Sequence, residues 1–443
     1  MTTHSERARQ WVHAGSGCFA LLLRDLLWWQ AAALAAFALF FNAFVLPNIG
    51  GTRLYRPLDH ARGFPLGILL YPAAVLTLIL FFPRRPDIAA ASWAILAFGD
   101  GFATLAGQRW GRTRLAWNRE KTIAGTVAFI VCAAAAGVAL AMWTRPAVTP
   151  IPPVAFALVA PVLAAIGAAF VETLPVRLDD NISVPVAAAA TLWAASLMSR
   201  TAFANSWPAL TAALPWAILV NAIVSWLGYR AKTVTLSGML GGAFVGIVIY
   251  ACGGGAGWTF LFAAFLVAAV TSRVGLERKT MLGIAEERGG RRGAGNAFAN
   301  CGIAAIAAVL AVSTPFKAQA LLAFVAALTA GGSDTVASEV GKAWGRSTFL
   351  LTTMRRVKPG TPGAMSLEGT AAGIVAAMAL GALAVALGLV PSNTIVIIVV
   401  AATVGALVES ALGATLEGPG ILNNDMLNFI NTAVAAVVAV AWR

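Results

Sequence analysis

Residues 97–112 read AFGDGFATLAGQRWGR, and residues 331–346 read GGSDTVASEVGKAWGR. At a constant offset of 234, Asp100 matches Asp334, Ala103 matches Ala337, Gly107 matches Gly341, and Trp110-Gly111-Arg112 matches Trp344-Gly345-Arg346. Chance similarity between small-residue helices supplies Gly and Ala matches, but not Asp, Trp and Arg at fixed spacing. The two stretches read as copies of one unit. Beyond them the order of features is kept. Gly125-Thr126 matches Gly369-Thr370 at offset 244, Glu172 precedes LDDN (178–181), and Glu409 precedes LNNDMLN (422–428).

Both copies lie among long apolar runs. Of 443 residues, 59% are hydrophobic and 11% charged, with mean hydropathy +0.81. A soluble domain carries roughly 25% charged residues, so lipid is the solvent that fits. A spanning helix takes about 20 apolar residues. Spans are expected near 26–46, 64–82, 88–106, 122–143, 151–171, 184–200, 208–229, 236–252, 257–272, 295–313, 318–334, 368–390, 393–412 and 425–442. The predicted fold is all-α: a polytopic integral membrane protein of about 14 transmembrane helices in two tandem repeats, with domains at 1–205 and 206–443. An even number of spans separates Asp100 from Asp334, so the copies share one orientation.

The net charge of +13 would suggest nucleic acid in a soluble protein. Here the basic residues fall in short loops, which is the signature of cytoplasmic connections, so membrane lipids and not nucleic acid are the expected partners. Loops 107–121, 273–292 and 342–358 are the richest, and all three count to the cytoplasmic side. Connections such as 145–150 and 253–256 then fall outside. This count leaves the N-terminus outside, and a short embedded segment near 12–23 restores it to the inside. The expected location is an inner or cytoplasmic membrane, with functional sites facing the cytoplasm. Cys18, Cys132, Cys252 and Cys301 form no CxxC and read as small hydrophobes. No cleavable signal peptide is expected.

Asp100 ends an apolar span, and an ionisable residue there costs roughly 2.5–3.5 kcal/mol at the bilayer centre, a default sign of function. Gly99 and Gly101 flank it, Gly107 and Gly111 follow, and then come Arg109, Arg112 and Lys121. A carboxylate for Mg2+, glycines for close approach and cations for phosphate together suit a nucleoside triphosphate. Helix packing alone accounts for Gly107 and Gly111 but not for the charges. Asp334 repeats the case beside Ser338 and Glu339, so Asp100 and Asp334 are the predicted metal ligands. Glu172 and Glu409 end later spans. Asp179, Asp180 and Asn181 follow the first of these, and Asp425 with Asn428 follow the second. Such groups can supply a further metal ligand or the base that accepts a hydroxyl proton, although Asp179-Asp180 also fits a solvated loop with a cap at Asn181. In the second half, Lys279 and the turn Gly289-Gly290-Arg291-Arg292-Gly293 suit phosphate. Asn296 and Asn300 enter the next span on one face, and Lys358 lies in a Gly/Pro loop leading into a helix whose amides can meet phosphate.

These motifs resemble known families. GDGFATLAGQRWGR, the following KTIAGT with Lys121, and ETLPVRLDDNISVP (172–185) resemble the CTP-dependent polyprenol kinases, the dolichol and phytol kinase family. Arg9-Gln-Trp-Val-His13 is similar to that family's N-terminal motif, with Gln in place of Lys. GWTFLF (257–262), GGRRGAGNAFAN (289–300), SDTVASEVG (333–341), KPGTPGAMSLEGT (358–370), ESALGATLE (409–417) and NNDMLNF (423–429) resemble the family called domain of unknown function 92, which includes transmembrane protein 19 and the plant phytyl-phosphate kinase. The resemblances imply a CTP-dependent, Mg2+-dependent kinase whose first half phosphorylates an isoprenoid alcohol and whose second half phosphorylates the isoprenoid phosphate. They imply catalytic roles for Asp100, Lys121, Glu172, Asp180, Asp334, Glu339 and Asp425. Gly99, Gly101, Gly107, Arg112, Asn181, Lys279, Arg291, Arg292, Asn300, Ser338, Lys358 and Asn428 would meet nucleotide or phosphate. Two rival readings remain, a transporter built from parallel repeats and a nucleotidyltransferase making a CDP-lipid.

Overall fold

An apolar run in lipid has no hydrogen-bond partner but itself, so each run closes into a helix. The computed structural model describes residues 6–49, 64–175, 177–281, 283 and 291–442. Gly289 and Gly290 of the expected basic turn lie outside them. The chain divides into two units, Met1–Ser196 and Leu197–Arg443. The division precedes the expected one because Ser199 caps the helix beginning at Arg200, which belongs to the second unit.

The first unit holds α1 (Glu6–Ser16), α2 (Trp28–Phe40), α3 (Leu66–Phe81), α4 (Pro86–Trp110), α5 (Ile123–Thr144), α6 (Val154–Glu172) and α7 (Asp180–Ser196). A 3-10 segment, Gly17–Arg24, joins the first two and buries Ala20 and Leu23, where a short embedded segment was expected. The core is alanine-rich around Ile88, Ile95, Leu96 and Phe129. Small side chains let helix backbones approach closely.

The second unit holds α8 (Arg200–Arg230), α9 (Leu236–Arg273), α10 (Leu276–Met281), α11 (Ala294–Ser313), α12 (Lys317–Trp344), α13 (Leu367–Ala386), α14 (Ile395–Leu412) and α15 (Asn424–Ala441). A short antiparallel hairpin, β1 (Thr348–Leu350) with β2 (Ala364–Ser366), joins α12 to α13 and departs from the all-α expectation. Straight, the 38 residues of α9 would run about 57 Å, far beyond a bilayer core of about 30 Å. They double back at Gly254, whose φ of 64° suits glycine alone. A Cβ at Gly257 would stand 3.8 Å from the Ile249 carbonyl, and the rings of Tyr250 and Trp258 lie 6.3 Å apart. Residues eight apart in a straight helix cannot meet.

Among the described residues, eleven helices are long and apolar enough to cross a membrane, fewer than the fourteen expected. Two of the missing ones are helices of 16 and 17 residues, α3 and α7. The third disappears because the two arms of α9 count as one element. Large apolar side chains such as Phe81, Trp207 and Val396 are exposed, as a lipid-facing surface requires. The protein is an integral membrane protein built of α-helices.

One helix crossing occurs in each unit with matching residues, a hydroxyl from Thr in one and from Ser in the other. In the first, a Cβ at Gly107 would stand 3.2 Å from Thr122 Oγ1; in the second, a Cβ at Gly341 would stand 2.9 Å from Ser366 Oγ. Thr122 and Ser366 cap α5 and α13, each accepting a hydrogen bond at 3.1 Å from the amide of Gly125 or Gly369. Such caps contribute about 1 kcal/mol. Gly125 and Gly369 in turn face the carbonyls of Ala103 and Ala337.

Candidate functional site

In the first unit Asp100 closes a π-helical turn, Ile95–Asp100, inside α4. Such turns re-aim one side chain relative to its helix. Glu172 ends α6 and Asp180 begins α7, so one π-helical turn and two helix ends deliver three carboxylates. One oxygen from each of Asp100, Glu172 and Asp180 lies within 4.8 Å of the others. Among the described residues this is the one such group of three metal-capable side chains. Lys121, in the loop before α5, donates to Glu172 and, at 3.1 Å, to Asp180. Asn118 fixes that loop by donating to the Thr173 carbonyl at 3.2 Å.

The charges tune one another. Burial pushes Asp180 up to about 7, against the pull of Lys121 and with the push of Asp100 and Glu172. Burial opposes the Lys121 charge, but Asp180 and Glu172 outweigh it and hold the ammonium above its usual range. His13 of α1 approaches Asp100, Nε2 to Oδ2, at 3.6 Å. Burial lowers this imidazole below its ordinary value, although Asp100 raises it. Its ring packs edge-on against Tyr71 at 4.5 Å. Tyr71 is positioned by hydrogen bonds from Trp93 Nε1 at 2.7 Å and Ser16 Oγ at 2.9 Å. Hard oxygen donors of this kind suit a divalent cation such as Mg2+.

Several expected ligands have other work. A Cβ at Gly99 would meet the Phe129 ring at 2.8 Å, and one at Gly101 would meet Ala14 at 3.4 Å. Gly99, Gly101 and Gly107 all stand at close contacts with neighbouring elements. Asp179, not Asn181, caps α7, accepting from the Asn181 amide at 2.9 Å. Asn181 Oδ1 is buried without a partner. Arg112 is exposed past the end of α4.

The second unit assembles differently. Glu339 is clamped by Lys279, which is 1% exposed, and by Lys342 at 3.0 Å. Lys279 also donates to the Ser272 carbonyl at 2.8 Å. Both Glu339 oxygens are engaged by lysines, and Lys279 is almost wholly buried. Asp334, within electrostatic reach of Lys342 and Glu409, lines a cavity of about 30 Å³ with Ser333, Thr370 and Thr403. That is room for one water. Glu409 Oε2 and both amide atoms of Asn431 are buried without a hydrogen-bond partner. Asp425 lies against Gly295 in the first turn of α11, and Asn428 is buried one turn further along α15. Ser338 and Lys358 are exposed. Arg291 Nη2 donates to the Val234 carbonyl at 3.3 Å. Asn300 Nδ2 donates to the Asn296 carbonyl at 3.0 Å, leaving its oxygen buried and unpartnered.

The family described as Integral membrane protein DUF92 matches residues 219–436. An uncharacterized membrane protein of Synechocystis sp. is 38% identical over 236 residues, covering 52% of this chain and 91% of that protein. Protein VTE6, chloroplastic, of Arabidopsis thaliana is 34% identical over 236 residues, covering 51% of this chain and 71% of that protein. A probable phytol kinase 2, chloroplastic, of Glycine max is 32% identical over 171 residues, covering 36% of this chain and 54% of that protein. No solved structure matches. With a relative matched over nearly its whole length and the family's own pattern running through the second unit, the chain belongs to the integral membrane protein DUF92 family.

Proposed function

We propose that the protein is a membrane isoprenoid kinase that converts a prenyl alcohol to its monophosphate in the first unit and that monophosphate to the diphosphate in the second. CTP is the donor and Mg2+ the cofactor, and both sites face the cytoplasm. The observation that carries the reading is the meeting of Asp100, Glu172 and Asp180 with Lys121, brought together by a π-helical turn, two helix ends and a loop. Relatives named phytol kinase support the substrate class. The glycine crossing that recurs in both units supports an ancestral duplication.

In the first unit, Asp100 and Glu172 would hold the metal. Bound there, Mg2+ neutralises charge on the triphosphate and draws electrons from its terminal phosphorus. Lys121 remains cationic and meets the phosphate oxygens. Asp180 is poised to accept the hydroxyl proton of the acceptor. The alcohol oxygen then forms a bond to the γ-phosphorus, the bond from that phosphorus to the β–γ bridging oxygen breaks, and CDP leaves with its electron pair.

The test is turnover by the purified full chain in detergent with CTP, Mg2+ and phytol or geranylgeraniol. Phosphorylated lipid and CDP are expected. Release of pyrophosphate with a CDP-lipid would instead identify a nucleotidyltransferase. Uptake that requires sealed vesicles, with no phosphorylated product, would identify a transporter.

A further inference from the structure

Between the two arms of α9 the second unit leaves a cavity of about 150 Å³. Gly238, Gly242 and Val245 of the first arm form one wall, and Trp258, Phe262 and Phe265 of the second arm face them. Helices α8, α11 and α12 complete it. Its two ends differ in chemistry. At one end Trp258 Nε1 donates to Asn221 Oδ1 at 3.0 Å, and Asn221 Nδ2 donates to the Ala217 carbonyl at 2.8 Å. The polar atoms there satisfy one another, so that end is effectively apolar. At the other end stand Arg292, Asn296 and Asn300, with Asn300 Oδ1 buried and unpartnered.

Helix α9 sets the axis between the ends. Gly238 packs against the backbone of Arg292, and Gly246 packs against Asn221. Eight residues of helix separate those contacts, about 12 Å. The slot is therefore narrow, apolar along its length, and cationic at one end. A Cβ at Gly331 would stand 2.9 Å from Asn300 Oδ1, and Asp334 follows one turn later on α12. Asp334 itself lines the separate small cavity and not this groove.

We propose that this groove binds a long-chain lipid monophosphate, its chain between the arms of α9 and its phosphate at Arg292, Asn296 and Asn300. The head-group assignment rests on the reading of this unit as one that acts on a lipid phosphate. A phosphate monoester matches the polar end in both senses. Its anionic oxygens accept from the Arg292 guanidinium, and when singly protonated its hydroxyl donates to Asn300 Oδ1. A nucleoside fits poorly, because the far end offers its base no unsatisfied donor or acceptor.

Gly242 makes the groove testable. A Cβ there meets nothing within 4 Å, so Gly242→Phe can reach into the slot, whereas Gly253→Ala adds a methyl in open space outside it. The full chain in detergent is titrated with geranylgeranyl monophosphate, with geranylgeraniol and inorganic phosphate as parallel probes. The native chain and Gly253→Ala are expected to bind the lipid phosphate alike, and Gly242→Phe about tenfold or more weaker, a loss near 1.4 kcal/mol. Ala297→Leu repeats the block from α11 and guards against a folding defect in the first variant. Arg292→Gln should erase the preference for the monophosphate over the alcohol. Equal binding by Gly242→Phe and the native chain, or inorganic phosphate competing as well as the lipid phosphate, would overturn the proposal. Turnover measured on the same samples separates the two ideas: binding with no phosphoryl transfer keeps the groove and removes the kinase reading.

Discussion

The ammonium of Lys121 lies 3.1 Å from the carboxylate of Asp180, and it bridges to Glu172 as well. Lys121 stands where a divalent cation would also be drawn, so lysine and metal compete for the same oxygens. Lys121→Met should therefore tighten Mg2+ binding while lowering alcohol phosphorylation by about 100-fold or more. Isothermal titration with Mg2+ and a turnover assay on the same preparation read both effects. Weaker metal binding in the variant would assign Lys121 a purely structural part.

Asp180 should set an acid limb in the first step. Its value in the folded protein is about 7, above the ordinary carboxylate range. Below that pH it holds the proton that a base must lack, so the rate should rise with pH through 7 and then level. Asp180→Asn should remove the limb along with most of the activity. A native profile flat from pH 5.5 to 8.5 would count against Asp180 as the base.

The two units should separate by mutation. Asp100→Asn is expected to abolish phosphorylation of the alcohol and spare that of the monophosphate, and Asp334→Asn the reverse. Labelled CTP with each acceptor, resolved by chromatography of the lipid products, distinguishes them. Loss of both steps in both variants would point to one shared site.

Much of this was legible in the sequence. Asp100 and Asp334 announced themselves because a carboxylate in an apolar run has few bland explanations. The crossing glycines Gly107 and Gly341 were visible as a repeat, and Thr122 and Ser366 fall at the matching 244 offset. What residue spacing does not carry is rotation about the helix. Gly99 and Gly101 next to an Asp suggest backbone open to ligand, yet only the structure shows Phe129 and Ala14 against them. The π-helical turn before Asp100, which shifts that rotation, leaves no mark in residue spacing. The Lys279–Glu339 pair, 60 residues apart, was likewise invisible. Each residue alone read as a ligand, and only their contact reveals mutual neutralisation. His13 was noticed only through a family motif; its approach to Asp100 depends on how α1 packs against α4.

That buried pair gives a stability prediction. Glu339→Leu leaves Lys279 unpaired at 1% exposure, a loss of about 3–5 kcal/mol. Lys279→Met in the same chain should recover most of it, since a buried ion pair exchanged for apolar side chains is often neutral. Thermal unfolding in detergent, compared across the single and double variants, provides the measurement. No recovery in the double variant would mean that the lysine does more than neutralise the glutamate.

The reversal in α9 has a practical use. Nothing packs within 4 Å of a Cβ placed at Gly253, Gly254 or Gly255. Lengthening such a bare corner costs little chain entropy, so a protease recognition sequence inserted between Gly253 and Gly254 should be tolerated. Cleavage from one side only of sealed, right-side-out vesicles would then report the sidedness of that corner and supply a fixed landmark for orienting the rest of the chain.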